Sequence, residues 1–231
     1  MIQISNLSKK YGETVVFSDL NYTFENACIY GLVGRNGAGK TTLLNILSNY
    51  DKNYTGVISI DRKKMNKVDY LDMPVAYAMD QPSFFNELTI YENLLLIASS
   101  RKIKKQEAFD KIERILDGLG LKKYENYSPL ELSKGTMKRL NNACAMIQEE
   151  KITIFDEPFS GLDPVQMKLL ENVIVEFHKK EKGIYIISSH DIECLQNVCD
   201  KCLLLHNGQI REINMEEVDR EEIAKILSEG E

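Results

Sequence analysis

The sequence predicts an α/β fold: a largely parallel sheet with flanking helices, an antiparallel β region near the N-terminus and an inserted helical block. Three observations predict it. A glycine-rich loop over residues 34–39 stands between an apolar strand pattern at 28–33 and a helix-like run at 42–47. Strand patterns return at 152–155, 184–188 and 202–205, alternating with helical stretches at 164–180 and 191–198. Between these two regions, residues 89–148 read as almost wholly helical.

Each element has its own signal. The first 30 residues alternate apolar and polar side chains, with turn residues at Tyr11-Gly12-Glu13 and Glu25-Asn26, which is the pattern of antiparallel strands. Further strands are expected at 55–60 and 75–78. In the helical block, Leu94, Ile97, Ile112, Ile115, Leu116 and Leu119 recur at helical spacing, while Gly118, Gly120 and Ser128-Pro129 divide it into segments. This block is surplus to a minimal sheet of alternating strands and helices and reads as a lobe of its own, about residues 86–148. The tail from 216 to 231 is acidic, with Val218, Ile223, Ile226 and Leu227 forming one apolar helix face, and is expected to be a packed terminal helix.

Composition bounds the function. The chain of 231 residues is 43% apolar and 28% charged, ordinary for a soluble globular protein. A formal charge of −6 speaks against a general nucleic-acid binder, so no nucleic-acid partner is expected. No apolar run approaches the roughly 18 residues that cross a bilayer, and residues 1–5 look like a strand rather than a signal peptide. Five cysteines, an odd number, suit a reducing compartment. Cys199-Asp200-Lys201-Cys202 is formally C-x-x-C, but no second pair or histidines stand at zinc-site spacing. Buried or half-buried free thiols are the expectation there.

The chemistry begins with Gly34-Arg35-Asn36-Gly37-Ala38-Gly39-Lys40-Thr41, a complete G-x-x-x-x-G-K-[ST] phosphate loop in the strand–loop–helix context it requires. The glycines at 34, 37 and 39 let backbone N–H groups turn towards phosphate oxygens, aided by the positive end of the following helix. Lys40 reaches the β- and γ-phosphates of a nucleoside triphosphate, the Thr41 hydroxyl suits Mg²⁺, and Thr42 continues the binding stretch. Later, the apolar strand 152–155 ends in adjacent carboxylates. Asp156 is suited to orient Mg²⁺, and Glu157 to polarise an attacking water as general base. By itself, Asp-Glu-Pro at a strand end also makes an ordinary turn.

With these residues in view, the sequence resembles the ATP-binding subunits of ABC transporters over about residues 1–215. Leu132-Ser133-Lys134-Gly135-Thr136 looks like the family's signature loop, and Ser160-Gly161-Leu162-Asp163 follows the paired acids as its D-loop does. Ser188-Ser189-His190-Asp191 matches its switch-histidine loop, and Tyr11 stands where the family has an aromatic that stacks on adenine. The resemblance implies a P-loop NTPase (RecA-like) core with an antiparallel β subdomain and an α-helical subdomain. It also implies ATP and Mg²⁺ as ligands, His190 at the γ-phosphate, and Ser133 and Gly135 serving the nucleotide of an opposing copy in a head-to-tail homodimer. A separate integral-membrane permease is implied as partner, with this subunit peripheral on the cytoplasmic face of the cell membrane.

Three positions depart from the family pattern. Lys134 and Thr136 replace the usual Gly and Gln of the signature, a form similar to that of bacterial exporters with a separate permease. Alignment puts Asp80, not Gln81, at the Q-loop glutamine; either could contribute to Mg²⁺ binding, and acid-Gln-Pro resembles the antibiotic- and lantibiotic-resistance exporters. Glu150 replaces a common Pro before the strand at 152. Import and a soluble non-transport ATPase remain the alternative readings.

Overall fold

The computed structural model describes residues 1–68 and 72–214. Its strands, in chain order, are β1 (Ile2–Tyr11), β2 (Thr14–Phe24), β3 (Cys28–Val33), β4 (Thr55–Ile60), β5 (Lys63–Lys64), β6 (Val75–Ala78), β7 (Ile152–Phe155), β8 (Ile184–Ser189), β9 (Lys201–His206) and β10 (Gln209–Ile213). The helices are α1 (Lys40–Leu47), α2 (Ile90–Ser100), α3 (Lys105–Gly118), α4 (Lys134–Met146), α5 (Pro164–Glu181) and the single turn α6 (Glu193–Gln196).

Two sheets result. The N-terminal sheet, order β2-β1-β4-β5, is antiparallel, as the alternation of residues 1–30 predicts. The larger sheet runs β10-β9-β3-β8-β7-β6 and is parallel except for β10, which hairpins back on β9 through Asn207-Gly208. Sequence patterning missed β10: Gln209–Ile213 alternates weakly and is mostly exposed at a sheet edge.

The core strands bury both faces, so their sequences read as continuous apolar runs. Tyr30, Leu32, Ile184, Ile186, Leu203 and Leu205 point to one side, against Leu43, Leu44, Ile46 and Leu47 of α1 and the antiparallel sheet beyond it. Ile29, Val33, Tyr185, Ile187 and Cys202 point to the other side, against α2–α5. The period of two thus sorts neighbours into two clusters. The helices of the inserted block share the second cluster with the sheet face and α5. Lys111, buried on α3, reaches Glu149 at 2.7 Å and Glu181 of α5 at 2.9 Å, fastening that block to the core.

Two expectations need correction or setting aside. Of the helical stretch expected at 191–198 only Glu193–Gln196 forms, because Asp191 Oδ1 takes the Glu193 N–H and Asp200 N already bonds to Ile29 O at the start of β9. The expected terminal helix lies outside the described residues.

Candidate functional site

The parallel strands deliver their C-terminal ends to one edge. β3 runs into the phosphate loop, β7 into Asp156-Glu157, and β8, between them, into Ser189-His190. A cavity of about 460 Å³ opens there, lined by Tyr11, Thr14, Val16, Arg35, Asn36, Gly37, Gly39, Lys40, Thr41, Thr42, Asp80, Asp156 and Glu157. Most residues expected from the sequence therefore converge on one volume.

The loop has the backbone its glycines allow. Gly37 and Gly39 have φ of +81° and +101°, in the left-handed region. A Cβ on Gly39 would also lie 2.7 Å from Val16 Cγ1. Gly34 is needed for a close approach: a Cβ there would stand 2.8 Å from the Leu205 carbonyl of β9. Ala38 N donates to Arg35 O at 3.1 Å, closing the turn.

Lys40 folds back over this loop. Its Nζ donates to the carbonyls of Gly34 at 2.6 Å and Arg35 at 3.2 Å, and stands 3.7 Å from Glu157 Oε1. Burial pulls the Lys40 ammonium below its ordinary pKa, against the opposing pull of Glu157 and Asp156.

The two acids are held differently. Asp156 is 1% exposed. It accepts hydrogen bonds from Thr41 Oγ1 at 2.9 Å and Ser188 Oγ at 2.6 Å, with the Tyr77 hydroxyl at 3.4 Å. Burial, with Asp156 next to it, raises the Tyr77 pKa, which keeps that phenol a donor. Glu157 takes φ of +49°, unusual for a residue with a side chain, and its N–H donates to Ser188 Oγ at 2.9 Å. Such strain costs of order 1–2 kcal/mol and collects at functional sites. One Glu157 oxygen faces Lys40; the other lies 3.0 Å from His190 Nδ1, on a half-exposed imidazole.

Asp80 and Gln81 separate. Asp80 lines the cavity, and its Oδ1 pairs with Lys138 Nζ of α4 at 3.0 Å; Gln81 is exposed and is not part of the lining. Ser133 and Gly135 also stand apart from this cavity. Ser133 caps α4 by accepting from Thr136 N at 3.2 Å, and Gly135 packs against Gln166 of α5 and the Gly161 carbonyl. Asp163 caps α5 by accepting from Gln166 N at 2.9 Å. Lys134 opens α4 in ordinary helical conformation. Cys199 and Cys202 are free thiols, the second fully buried and pushed up to about 12 by that burial.

Residue-by-residue reading missed Tyr77, Asn45, Lys138 and Lys9. Tyr77 donates to Asn45 Oδ1 at 3.0 Å and so hangs between α1 and Asp156. Only spatial neighbours give these side chains meaning.

The donor set fits a hard divalent cation. A hydroxyl, a buried carboxylate bonded to it and a second carboxylate share one cavity, all oxygen ligands of the kind Mg²⁺ takes.

A family model described as ABC transporter matches residues 17–160. The chain belongs to the ABC transporter family. It is the family's ATP-binding, ATPase subunit type. An uncharacterised ABC transporter ATP-binding protein of Methanocaldococcus jannaschii is 31% identical over 90% of this chain and 75% of its own. A bacitracin transport ATP-binding protein of Enterococcus faecalis is 30% identical over 95% and 71%. A tungstate uptake system ATP-binding protein of Peptoclostridium acidaminophilum is 29% identical over 91% and 97%. Among solved structures, an ATP-binding subunit of an ABC transporter superposes with a TM-score of 0.85 at 26% identity, covering 100% of this chain and 95% of that one. Among the described residues no helix is long and apolar enough to cross a membrane.

Proposed function

We propose that this ABC ATPase hydrolyses ATP to energise an export permease, a separate integral-membrane polypeptide, from the cytoplasmic face of the cell membrane. Two copies work head to tail, each nucleotide lying between the phosphate loop of one and the Ser133–Gly135 helix tip of the other. Residues 1–215 form the ATP-binding domain, with 86–148 as its helical subdomain and 216–231 as a tail.

The observation that carries the reading is Glu157 between Lys40 at 3.7 Å and His190 at 3.0 Å, beside the Thr41–Asp156 bond. Gly34 to Thr42 cradle the triphosphate, and Tyr11 stacks on adenine. Lys40 exchanges its two loop carbonyls for phosphate oxygens, which return the charge its burial disfavours. Thr41, Asp156 and Asp80 would hold Mg²⁺, directly or through water; Gln81 is the weaker candidate. The cation supplies charge neutralisation at the phosphates when bound. Glu157 takes the proton of the attacking water, and His190 keeps that carboxylate in place and neighbours the γ-phosphate.

Export is favoured by Asp80-Gln81-Pro82 together with Lys134; the relative named for bacitracin transport supports a transport role without giving its direction. The relative named for tungstate uptake supports import as second reading.

Replacing Glu157 by Gln tests the catalytic assignment. ATP affinity should be kept while hydrolysis falls about 10²–10⁴-fold, the usual worth of a general base. Unchanged turnover would remove Glu157 from the role. Direction is read by transport assays in vesicles holding the subunit with its permease: ATP-driven accumulation on the side carrying the ATPase contradicts export.

A further inference from the structure

Lys9 is a buried lysine outside every motif. It is 4% exposed, lies on the antiparallel sheet and pairs with Asp51 Oδ2 at 2.6 Å. It also donates to the Asn53 carbonyl at 2.7 Å, and its Nζ stands 4.5 Å from the centre of the Tyr11 ring. Tyr11 in turn donates its hydroxyl to the same Asp51 oxygen at 3.1 Å. The ring is 52% exposed and lines the phosphate-loop cavity.

A lysine needs strong compensation to lose its water, and an exposed tyrosine at a strand end is ordinarily free to change rotamer. Here each solves the other's problem. The ammonium backs one face of the ring, Asp51 tethers both polar tips, and the short loop after α1 anchors Asp51 through the Asn53 N–H at 2.8 Å. The half-exposed ring borders the phosphate-loop cavity, where a second π-system can stack on it, and the ring is held before any ligand arrives, so less rotamer freedom is lost on binding.

We infer that Lys9, fixed by Asp51, is a positioning residue that presents Tyr11 as a preformed stacking platform for the nucleotide base. The inference rests on the proposed nucleotide site and concerns only its base end. Lys9 acts through Tyr11 and touches no phosphate, so its contribution is confined to ligands that carry a base.

The test compares MgATP with magnesium tripolyphosphate, the same phosphates without a base, by titration calorimetry on protein carrying Glu157→Gln so that nothing turns over. Lys9→Met should weaken MgATP by about three- to tenfold, the range expected for a cation–π contact and lost preorganisation, with tripolyphosphate within twofold. Lys9→Arg should recover most of the loss. Asp51→Asn, which leaves the lysine in place, should give the same selective loss. Equal losses for both ligands would mark Lys9 as merely structural and overturn the inference, as would a folded Lys9→Met protein with full ATP affinity. Tripolyphosphate binding as tightly as ATP in the parent protein overturns the platform and leaves the phosphate loop standing. A parent protein binding neither ligand overturns the nucleotide reading itself.

Discussion

The Asp80 carboxylate lies 3.0 Å from the Lys138 ammonium, and that ammonium also donates to the Asp156 carbonyl at 3.3 Å. One side chain of α4 thus ties the loop after β6 to the end of β7. Lys138 is nearly buried while Asp80 is largely exposed, so the two partners should not be equivalent to mutation. Asp80→Ala strands a buried ammonium with one carbonyl and should cost about 1–3 kcal/mol. Lys138→Met keeps the packed stem and leaves a solvated carboxylate, but it also takes the long 3.3 Å donor from the buried Asp156 carbonyl, so about 1 kcal/mol is expected, towards the low end of the Asp80→Ala range. Chemical denaturation of the two variants measures the asymmetry.

Ser188 should matter more than its place in an inconspicuous serine pair suggests. It is fully buried, donates to Asp156 Oδ1 and accepts from the Glu157 N–H. Ser188→Ala leaves a buried carboxylate oxygen and a backbone N–H without that partner. The expected cost is roughly 2–4 kcal/mol of stability. Hydrolysis should fall with nucleotide affinity largely kept, because Glu157 loses the bond that supports its strained backbone. Denaturation and steady-state kinetics together check both halves.

Gly39→Ala should damage the loop twice over. Its φ of +101° disfavours any side chain, and the new methyl would collide with Val16 and the Phe17 ring. A loss of more than about 1 kcal/mol in stability is expected from the backbone alone. Tripolyphosphate affinity should fall with it, which calorimetry reads directly.

The acid limb of the stability profile should report Asp51. Burial would raise its pKa, but the bonds from Lys9, Asn53 N–H and Tyr11 hold it below the ordinary aspartate value. A folded pKa below the unfolded one means the contribution is complete above about pH 4 and disappears as pH falls through the folded value. Wild-type protein should therefore lose stability in this range more steeply than Asp51→Asn, whose own contribution does not titrate. Denaturation midpoints between about pH 2 and 5 decide it.

Much of the fold was legible because its signals are local. Strand 152–155 is four consecutive buried residues, three of them apolar, α5 opens on an Asp163 cap followed by Pro164, and the phosphate loop has rigid spacing. Where the signal depended on partners, reading failed. β10 is exposed and pairs only because β9 lies beside it, and α6 shrank because Asp191 and the β3 backbone claim its ends.

The amino-acid order alone determined the α/β class, the family resemblance and the residues of the phosphate loop, since period, turn chemistry and motif spacing act over a few neighbours. Only the tertiary structure decided that Asp80 rather than Gln81 lines the cavity, that Ser188 joins the two acids and that Lys9 backs Tyr11. Those relationships join residues on different strands and loops, so their geometry follows from sheet order and packing, which no stretch of sequence carries by itself.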